Sequence, residues 1–202
     1  ALINIASNFP EESKRKRMGK EGIEEEDWEF YKSNFFTTRN TAMALLGLKK
    51  NKSKEISIIN FSDVNILRYV HRIIEPYEDS ILNVDLDDVK NTGIKQMMKD
   101  SVDTMFLNPY HLAKRDVCYL TRKIALEYGE KRIRANAIAP GPLSPPPKKT
   151  EENWSHVLDK TLLKRWGKTE SLIQAIDYLL NSGFITGIIL PVDGGQDIYN
   201  MK

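Results

Sequence analysis

Two side chains of one short segment, Tyr110 and Lys114, provide a phenol and an ammonium at a spacing suited to proton transfer. Residues four apart lie on the same face of a helix, so a helical segment would bring the two groups together. A neighbouring ammonium favours the ionised phenol, which makes the phenol a usable proton donor near neutral pH. Tyr119 and Lys123 have the same spacing, so the pattern alone does not choose between the two pairs.

The residues that follow Lys114 decide in favour of Tyr110. They read Leu-Thr-Arg at 120–122, Ala-Leu-Glu-Tyr-Gly at 125–129 and Ile-Arg-Ala-Asn-Ala-Ile-Ala-Pro-Gly at 133–141. This order resembles the short-chain dehydrogenase/reductase family, in which a Tyr-x-x-x-Lys pair precedes such a turn, helix end and strand. Nothing lines up from Lys123. The resemblance therefore selects Tyr110 and Lys114 as the predicted catalytic pair.

Three blocks elsewhere in the chain agree with this family. Residues 1–7 are similar to its Val-Leu-Val-Asn-Asn-Ala-Gly segment, 58–63 to the strand that carries the catalytic serine, and 187–195 to the closing strand with its Asp-Gly-Gly turn. Asp63 stands at the position of that serine, as in the pteridine and dihydromonapterin reductases, which the run 177–187 also resembles. The resemblance implies NADPH-dependent reduction of a pterin or dihydrofolate-like ring. The alternatives are a carbonyl or 3-oxoacyl reductase of the same family, or a non-catalytic binding or scaffold homologue.

The resemblance implies a role for each residue of the site. Lys114 would hold the nicotinamide ribose and stabilise the tyrosinate. Tyr110 would pass its proton to the substrate, and Asp63 would bind Tyr110 or the pterin and help to relay that proton. The other cofactor-binding residues are expected at strand ends and in the loops that follow them: Asn4, Ala6, Pro140, Gly141, Leu143 and Ser144.

Several of these roles have alternatives. Asp63 could be a turn former at the end of a strand, because aspartate often begins turns. Ser62 could supply the working hydroxyl instead, and Asn4 could only tie neighbouring strands together. The family also has an asparagine that supports a water near the lysine. Asn34 and Asn40 lie on the expected helix, and neither aligns well enough to be assigned.

Alternation of apolar strands with amphipathic helices predicts an α/β fold. The predicted strands are 1–6, 55–61, 132–138 and 184–192, and the predicted helices are 28–48, 110–128 and 169–180, the last with Thr169 as its N-cap. This order implies a Rossmann-like doubly wound parallel sheet with helices on both faces. In such a sheet, ligands bind beyond the carboxyl ends of the strands.

The chain is predicted to be a single partial domain, residues 1–202, that lacks the first βαβ units. The family's Thr-Gly-x-x-x-Gly-x-Gly turn, whose backbone N–H groups would meet the cofactor diphosphate, is absent from the sequence. Residues 11–27 are predicted to be a charged, solvated loop. We expect a fragment whose dinucleotide half is missing or is carried by a companion chain. Loss of that half in the protein itself is the alternative.

The separation of Asp63 from Tyr110, 110 − 63 = 47 residues, is much longer than the resemblance implies. Residues 64–109 are therefore predicted to be an insertion, with helical stretches at 66–74 and 94–105. Because the insertion joins two catalytic residues, it is expected to lie over the active site as a lid or beside it as a surface or oligomer-contact excursion.

Composition excludes several classes of function. The 30 basic and 28 acidic residues give a net charge of +2, so binding to nucleic acid or to a membrane surface has no electrostatic support. No apolar run approaches the roughly 20 residues of a membrane span. Cys118 is the single cysteine, which excludes an internal disulfide and predicts a reducing, cytoplasmic location.

No metal site is predicted, because the three histidines lack ligand spacing and the acidic segment 85–88 lacks the glycine and distal glutamate of a calcium loop. The resemblance also implies a homo-oligomer, a tetramer or a dimer, formed through the helices that begin near residues 28 and 110.

Overall fold

The sheet consists of four parallel strands in the order β1-β2-β3-β4. The structure, a computed structural model, describes residues 1–5, 25–48, 54–70, 81–93, 109–143 and 155–200. The strands are β1 (Leu2–Asn4), β2 (Ile56–Phe61), β3 (Ile133–Pro140) and β4 (Ile189–Val192). Because all pairs are parallel, every strand ends at the same edge of the sheet. This confirms the predicted parallel α/β sheet.

The helices are named in chain order. They are α1 (Glu25–Tyr31), α2 (Thr37–Leu48), α3 (Leu67–Val70), α4 (Leu86–Asp88), α5 (Pro109–Tyr128), α6 (Ser155–Leu158), α7 (Thr169–Asn181) and α8 (Gln196–Asn200). A π-helical segment (Lys32–Phe36) joins α1 to α2, a second one (Val89–Gly93) follows α4, and 3-10 turns occupy Val64–Ile66 and Gly129–Lys131. Among the helices that the structure describes, none combines the length and apolar character needed to cross a membrane.

Helices cover both faces of the sheet, as predicted. Side chains alternate between the faces along a strand, so Ile58 packs into the cluster formed with α1, α2 and α5, whereas Ile59 and Phe61 pack into a second cluster with Leu179 of α7. The first cluster is the larger core. It fixes α5 against β2 and β3, and thereby fixes the residues at the start of α5 relative to the strand ends.

Most element boundaries lie within two residues of the sequence prediction, and three further differences have a structural basis. The helix predicted at 28–48 begins at Glu25 and contains the π-helical segment. The last strand is shorter than 184–192, because Gly187 has a φ of +77°, which interrupts an extended backbone before Ile189. Thr169 is the first residue of α7, and Lys168 takes the N-cap position without a side-chain hydrogen bond. The prediction that Thr169 is the N-cap was therefore wrong by one residue.

The described part of the insertion belongs to the main core. Ile81, Val84 and Val89 are fully or nearly fully buried in the same apolar cluster as Trp28 and Tyr31 of α1. The Arg39 guanidinium of α2 donates to the backbone carbonyl of Val84. These residues therefore form a structural layer against α1 and α2. Residues 71–80 and 94–108 lie outside the described residues, so the predicted helix 94–105 and the lid over the site stay predictions.

Arg134 of β3 fixes the end of α7 against the sheet. Its Nη1 donates to the carbonyl of Leu179 at 2.9 Å and its Nη2 to that of Leu180 at 3.0 Å, while its Nε donates to Glu55 Oε1 at 2.6 Å. The last carbonyls of a helix have no partner within the helix, and a cation there also complements the helix dipole. One buried guanidinium thus joins β3, α7 and the residue before β2.

Close backbone packing joins the ends of β3 and β4. The Gly141 N–H donates to the carbonyl of Val192 at 3.0 Å. A Cβ atom at position 141 would lie 2.5 Å from Asp193 Cα, a distance at which backbone atoms must move apart. Only glycine therefore allows the loop after β3 to meet the turn after β4.

Gly141→Ala should lower the free energy of unfolding by about 2 kcal/mol, because the added methyl group forces two backbone segments apart. Gly47→Ala is the matched control, since no atom lies within 4 Å of its added Cβ. That change, inside α2, should raise the free energy of unfolding by about 0.5–1 kcal/mol. Urea unfolding measures both variants. Equal stability of the two would contradict the packing described for Gly141.

Candidate active site

The candidate site lies where α5 begins and β2 ends. Strand β2 ends at Phe61, and the chain continues through Ser62 and Asp63 into a 3-10 turn. Helix α5 begins at Pro109, so Tyr110 and Lys114 lie one helical turn apart at its start. The structure thus brings together the three residues for which the sequence predicted catalytic roles.

The Tyr110 hydroxyl donates a hydrogen bond to Asp63 Oδ2 at 3.0 Å. The other oxygen, Asp63 Oδ1, accepts from the backbone N–H of Asn65 at 2.7 Å and from Asn65 Nδ2 at 2.9 Å. Asp63 is the N-cap of the 3-10 turn, with the extended backbone that an N-cap has. The turn-forming role and the contact with tyrosine are therefore both present, one on each oxygen of the same carboxylate.

Lys114 is a buried ammonium with 1% of its surface exposed. Its Nζ donates to the carbonyl of Phe61 at 3.2 Å and lies 5.7 Å from the centroid of the Tyr110 ring. Burial lowers the pKa of Lys114 to about 8, and the negative charge of Asp63 partly opposes that shift. Lys114 can therefore change its charge in mildly alkaline solution, close to the phenol.

Ser62 is turned away from the tyrosine. Its hydroxyl donates to the backbone carbonyl of Lys114 at 2.8 Å and accepts from Cys118 Sγ at 3.1 Å. Burial raises the pKa of the Cys118 thiol to about 12, so this thiol stays protonated and serves as a donor within the core. Ser62 therefore joins β2 to α5, and Asp63 is the residue that contacts Tyr110.

The Asn4 side chain forms a hydrogen bond to the neighbouring strand. Its Nδ2 donates to Asn60 Oδ1 at 2.8 Å, and Asn60 Nδ2 donates to Thr121 Oγ1 at 2.9 Å. This arrangement fits the alternative in which Asn4 ties β1 to β2. Ala6 and Ser144, the other predicted cofactor-binding residues of these loops, lie outside the described residues.

The loop after β3 lies at the same sheet edge. Pro140 pairs with Val192 in the sheet, and Leu143 forms an isolated parallel bridge with Gly167. The N–H of Gly167 donates to the carbonyl of Pro142 at 2.9 Å. Pro140, Gly141 and Leu143 are all partly exposed, so this anchored loop has surface left for a ligand.

Two asparagines were left unassigned by the sequence, and the structure distinguishes them. Asn34 lies within the π-helical segment and is fully buried, whereas Asn40 is exposed. Asn34 Nδ2 donates to the carbonyl of Phe30 at 2.8 Å, and the Asn34 carbonyl accepts from Thr38 Oγ1 at 2.8 Å. Single π-helical turns occur frequently at functional sites.

Within the described parts of the chain, no group of three or more histidine, cysteine, aspartate or glutamate side chains is arranged to hold a metal ion. The site itself offers a phenol, a carboxylate and an ammonium.

Lys114 should make the free energy of unfolding depend on pH. Its folded pKa of about 8 lies below its ordinary 10.5, so between these values the unfolded chain binds more protons and stability rises with pH. Relative to Lys114→Met, the wild-type protein should gain on the order of 3 kcal/mol from about pH 7 to about pH 10.5. Urea unfolding of both proteins across this range measures the gain. If the free energies of unfolding of the two proteins changed in parallel with pH, folding would not disfavour the Lys114 ammonium.

Comparison with known proteins agrees with the resemblance that the sequence motifs indicated. Residues 96–197, half of the chain, match the family model described as Enoyl-(Acyl carrier protein) reductase. The chain is 30% identical over 155 residues to 1,6-dihydroxycyclohexa-2,4-diene-1-carboxylate dehydrogenase of Acinetobacter baylyi, covering 67% of this chain and 59% of that protein. It is 36% identical over 126 residues to glucose 1-dehydrogenase 2 of Bacillus subtilis, covering 53% of this chain and 49% of that protein.

The chain thus spans half to three-fifths of the length of these two curated relatives. The fold is similar to that of 4-hydroxyisoleucine dehydrogenase complexed with NADH, with a TM-score of 0.63 at 20% identity over 96% of this chain and 67% of that one. A match over half of the sequence, the shared fold and the joined Asp63, Tyr110 and Lys114 lead to one conclusion: the chain belongs to the short-chain dehydrogenase/reductase family.

Proposed function

We propose that this chain carries the proton-transfer site of an NAD(P)H-dependent reductase, with Tyr110 as the proton donor. The observation that carries the proposal is the 3.0 Å hydrogen bond from the Tyr110 hydroxyl to Asp63, beside the buried ammonium of Lys114. A phenol held between a carboxylate and an ammonium has a route for receiving a proton and a charge that stabilises its loss.

The residues present fit the nicotinamide side of such a cofactor. The Lys114 ammonium is bonded to the Phe61 carbonyl at the carboxyl end of β2, and ligands bind at this edge in open parallel sheets. The anchored backbone of Pro140, Gly141 and Leu143 borders the same edge. The glycine-rich turn for a diphosphate does not occur in this sequence. A reduced nicotinamide bound at this edge would supply the hydride.

The chain's own residues would manage the proton. Tyr110 gives its hydroxyl proton to the substrate atom next to the one reduced, and Lys114 stabilises the resulting tyrosinate by its charge. Asp63 is only half-buried, so its carboxylate can take up a proton from solvent and return it to the Tyr110 oxygen. The Phe61 carbonyl holds the Lys114 ammonium in place throughout.

Asp63 favours a pterin-like substrate over a simple carbonyl compound. A carboxylate only accepts hydrogen bonds, so beside a carbonyl oxygen it meets another acceptor. A pterin ring instead presents N–H donors and a C=N bond whose nitrogen needs a proton. We therefore propose that the enzyme reduces a pterin or dihydrofolate-like ring, preferably with NADPH.

A second candidate is a carbonyl reductase or alcohol dehydrogenase. The observation that favours it is the names of the relatives, since both curated relatives are called dehydrogenases and neither name refers to a pterin. In that case Asp63 would act only on Tyr110 and would not contact the substrate. In both candidates Tyr110 is the proton donor. They differ in which substrate group lies next to the Asp63 carboxylate.

Tyr110→Phe should abolish turnover and retain dinucleotide binding, because only the transferable proton is removed. We expect a loss in kcat of at least about 100-fold. Tyr119→Phe is the matched control: it changes another tyrosine of α5 that also has a lysine four residues later, and it should keep its activity. NADPH and NADH oxidation by the complete gene product, with fluorescence titration of each dinucleotide, measures both effects. An active Tyr110→Phe variant would remove Tyr110 from its role.

Asp63→Ser should change substrate preference, because serine can donate to a carbonyl oxygen and carries no charge. For a pterin reductase, kcat/KM for dihydrobiopterin should fall at least about tenfold relative to kcat/KM for an acetoacetyl thioester. The comparison is made on the complete gene product with the same dinucleotide. A wild-type enzyme that turns over the acetoacetyl substrate and ignores the dihydropterin would establish the carbonyl candidate instead.

A further inference from the structure

A chain of hydrogen bonds runs from α8, close to the end of the described sequence, to the candidate acid. Gln196 Nε2 donates to Asn65 Oδ1 at 3.0 Å, and Asn65 Nδ2 donates to Asp63 Oδ1 at 2.9 Å. Asp63 Oδ2 then accepts from the Tyr110 hydroxyl at 3.0 Å. Gln196 and Asn65 are 131 residues apart in sequence, so only folding places them together.

Gln196 is itself held firmly. Asp193 Oδ1 accepts from the backbone N–H of Gly195 at 2.9 Å, and Asp193 Oδ2 accepts from the N–H of Asp197 at 2.7 Å. These bonds close the turn on both sides of Gln196, whose side chain is 6% exposed. The same turn packs against Gly141. The amide donor of Gln196 therefore has a fixed position.

The order of donors and acceptors determines how the Asn65 amide is oriented. Its oxygen faces the Gln196 donor, so its NH₂ group faces the Asp63 carboxylate. A rotation of this amide by half a turn would place its oxygen against Asp63 Oδ1, where two acceptors meet without a proton. With Asn65 fixed, Asp63 Oδ1 has two N–H donors, and Oδ2 is left directed at Tyr110.

We propose that Asn65 and Gln196 are positioning residues that orient the Asp63 carboxylate toward the Tyr110 hydroxyl. The inference rests on the proposed function, because these two side chains would act on the proposed proton donor, Tyr110, through Asp63. Neither touches the reacting atoms. Their effect on the reaction passes through the direction of one carboxylate oxygen.

The kinetic test uses Gln196→Met, which keeps the length of the side chain and removes its donor. The variant of the complete gene product should lose at least about fivefold in kcat, with an unchanged KM for the dinucleotide. In an Asp63→Asn background the same change should cost less than about twofold, because the carboxylate that Gln196 orients is gone. Ile198→Ala, an exposed change in the same helix, is the control and should behave as wild type.

A second test does not depend on turnover. The Asp63 carboxylate raises the pKa of Lys114, so a carboxylate released by Asn65→Ala should let the Lys114 titration midpoint fall below about 8. NMR titration of the lysine side-chain carbons, assigned with Lys114→Arg, measures that midpoint. Urea unfolding establishes that each variant is folded at the pH used.

The outcomes separate this inference from the function on which it rests. Inactive Tyr110→Phe together with normal Gln196→Met and an unshifted Lys114 midpoint would overturn the positioning role and leave the proposed function standing. An equal loss of kcat from Gln196→Met in the wild-type and Asp63→Asn backgrounds would also overturn the positioning role, since the effect would then be structural. Active Tyr110→Phe would overturn the proposed function, whatever the Lys114 midpoint shows.

Discussion

The burial of the Lys114 ammonium is the constraint on which the rest of this site depends. A buried cation is costly unless nearby acceptors and negative charge compensate it. Here the compensation comes from the Phe61 carbonyl and from the charge of Asp63, both at the end of β2. Ser62, between these two residues, bonds to the Lys114 carbonyl. The end of β2 and the start of α5 are therefore held in one relative position.

That position also decides what Asp63 can do. One oxygen completes the 3-10 turn, and the other contacts the phenol. If Asp63 only capped the turn, its role would be purely structural. If it only contacted the phenol of Tyr110, its carboxylate would have no fixed direction. Because its two oxygens are shared between the local backbone and α5, the Asp63 carboxylate has a defined direction.

The sheet edge is assembled by close contacts between loops. The turn at Asp193 packs against Gly141 on one side and supports Gln196 on the other. One turn therefore supports both the loop expected to border a nicotinamide and the network that reaches Asp63. Arg134 has a comparable function at the opposite end of β3, where it fixes α7. Hydrogen-bonded polar side chains thus lie at both ends of this strand.

Helix and strand periodicity determined the parts of this protein that depend on neighbours in sequence. Tyr110 and Lys114 share a helix face because residues four apart do so in any helix. Strands separated by helices implied the parallel sheet, and motif order pointed to the family. The finer assignment to pterin reductases rests on Asp63 and stays a proposal.

Only tertiary structure decided the contacts between residues distant in sequence. Periodicity says which face a side chain occupies, not which atom lies opposite. Folding therefore decided that Ser62 turns into the core, that Asn4 bonds to Asn60, and that Gln196 reaches Asn65. It also placed the described part of the insertion in the core, because its apolar side chains could be buried against the helices already there.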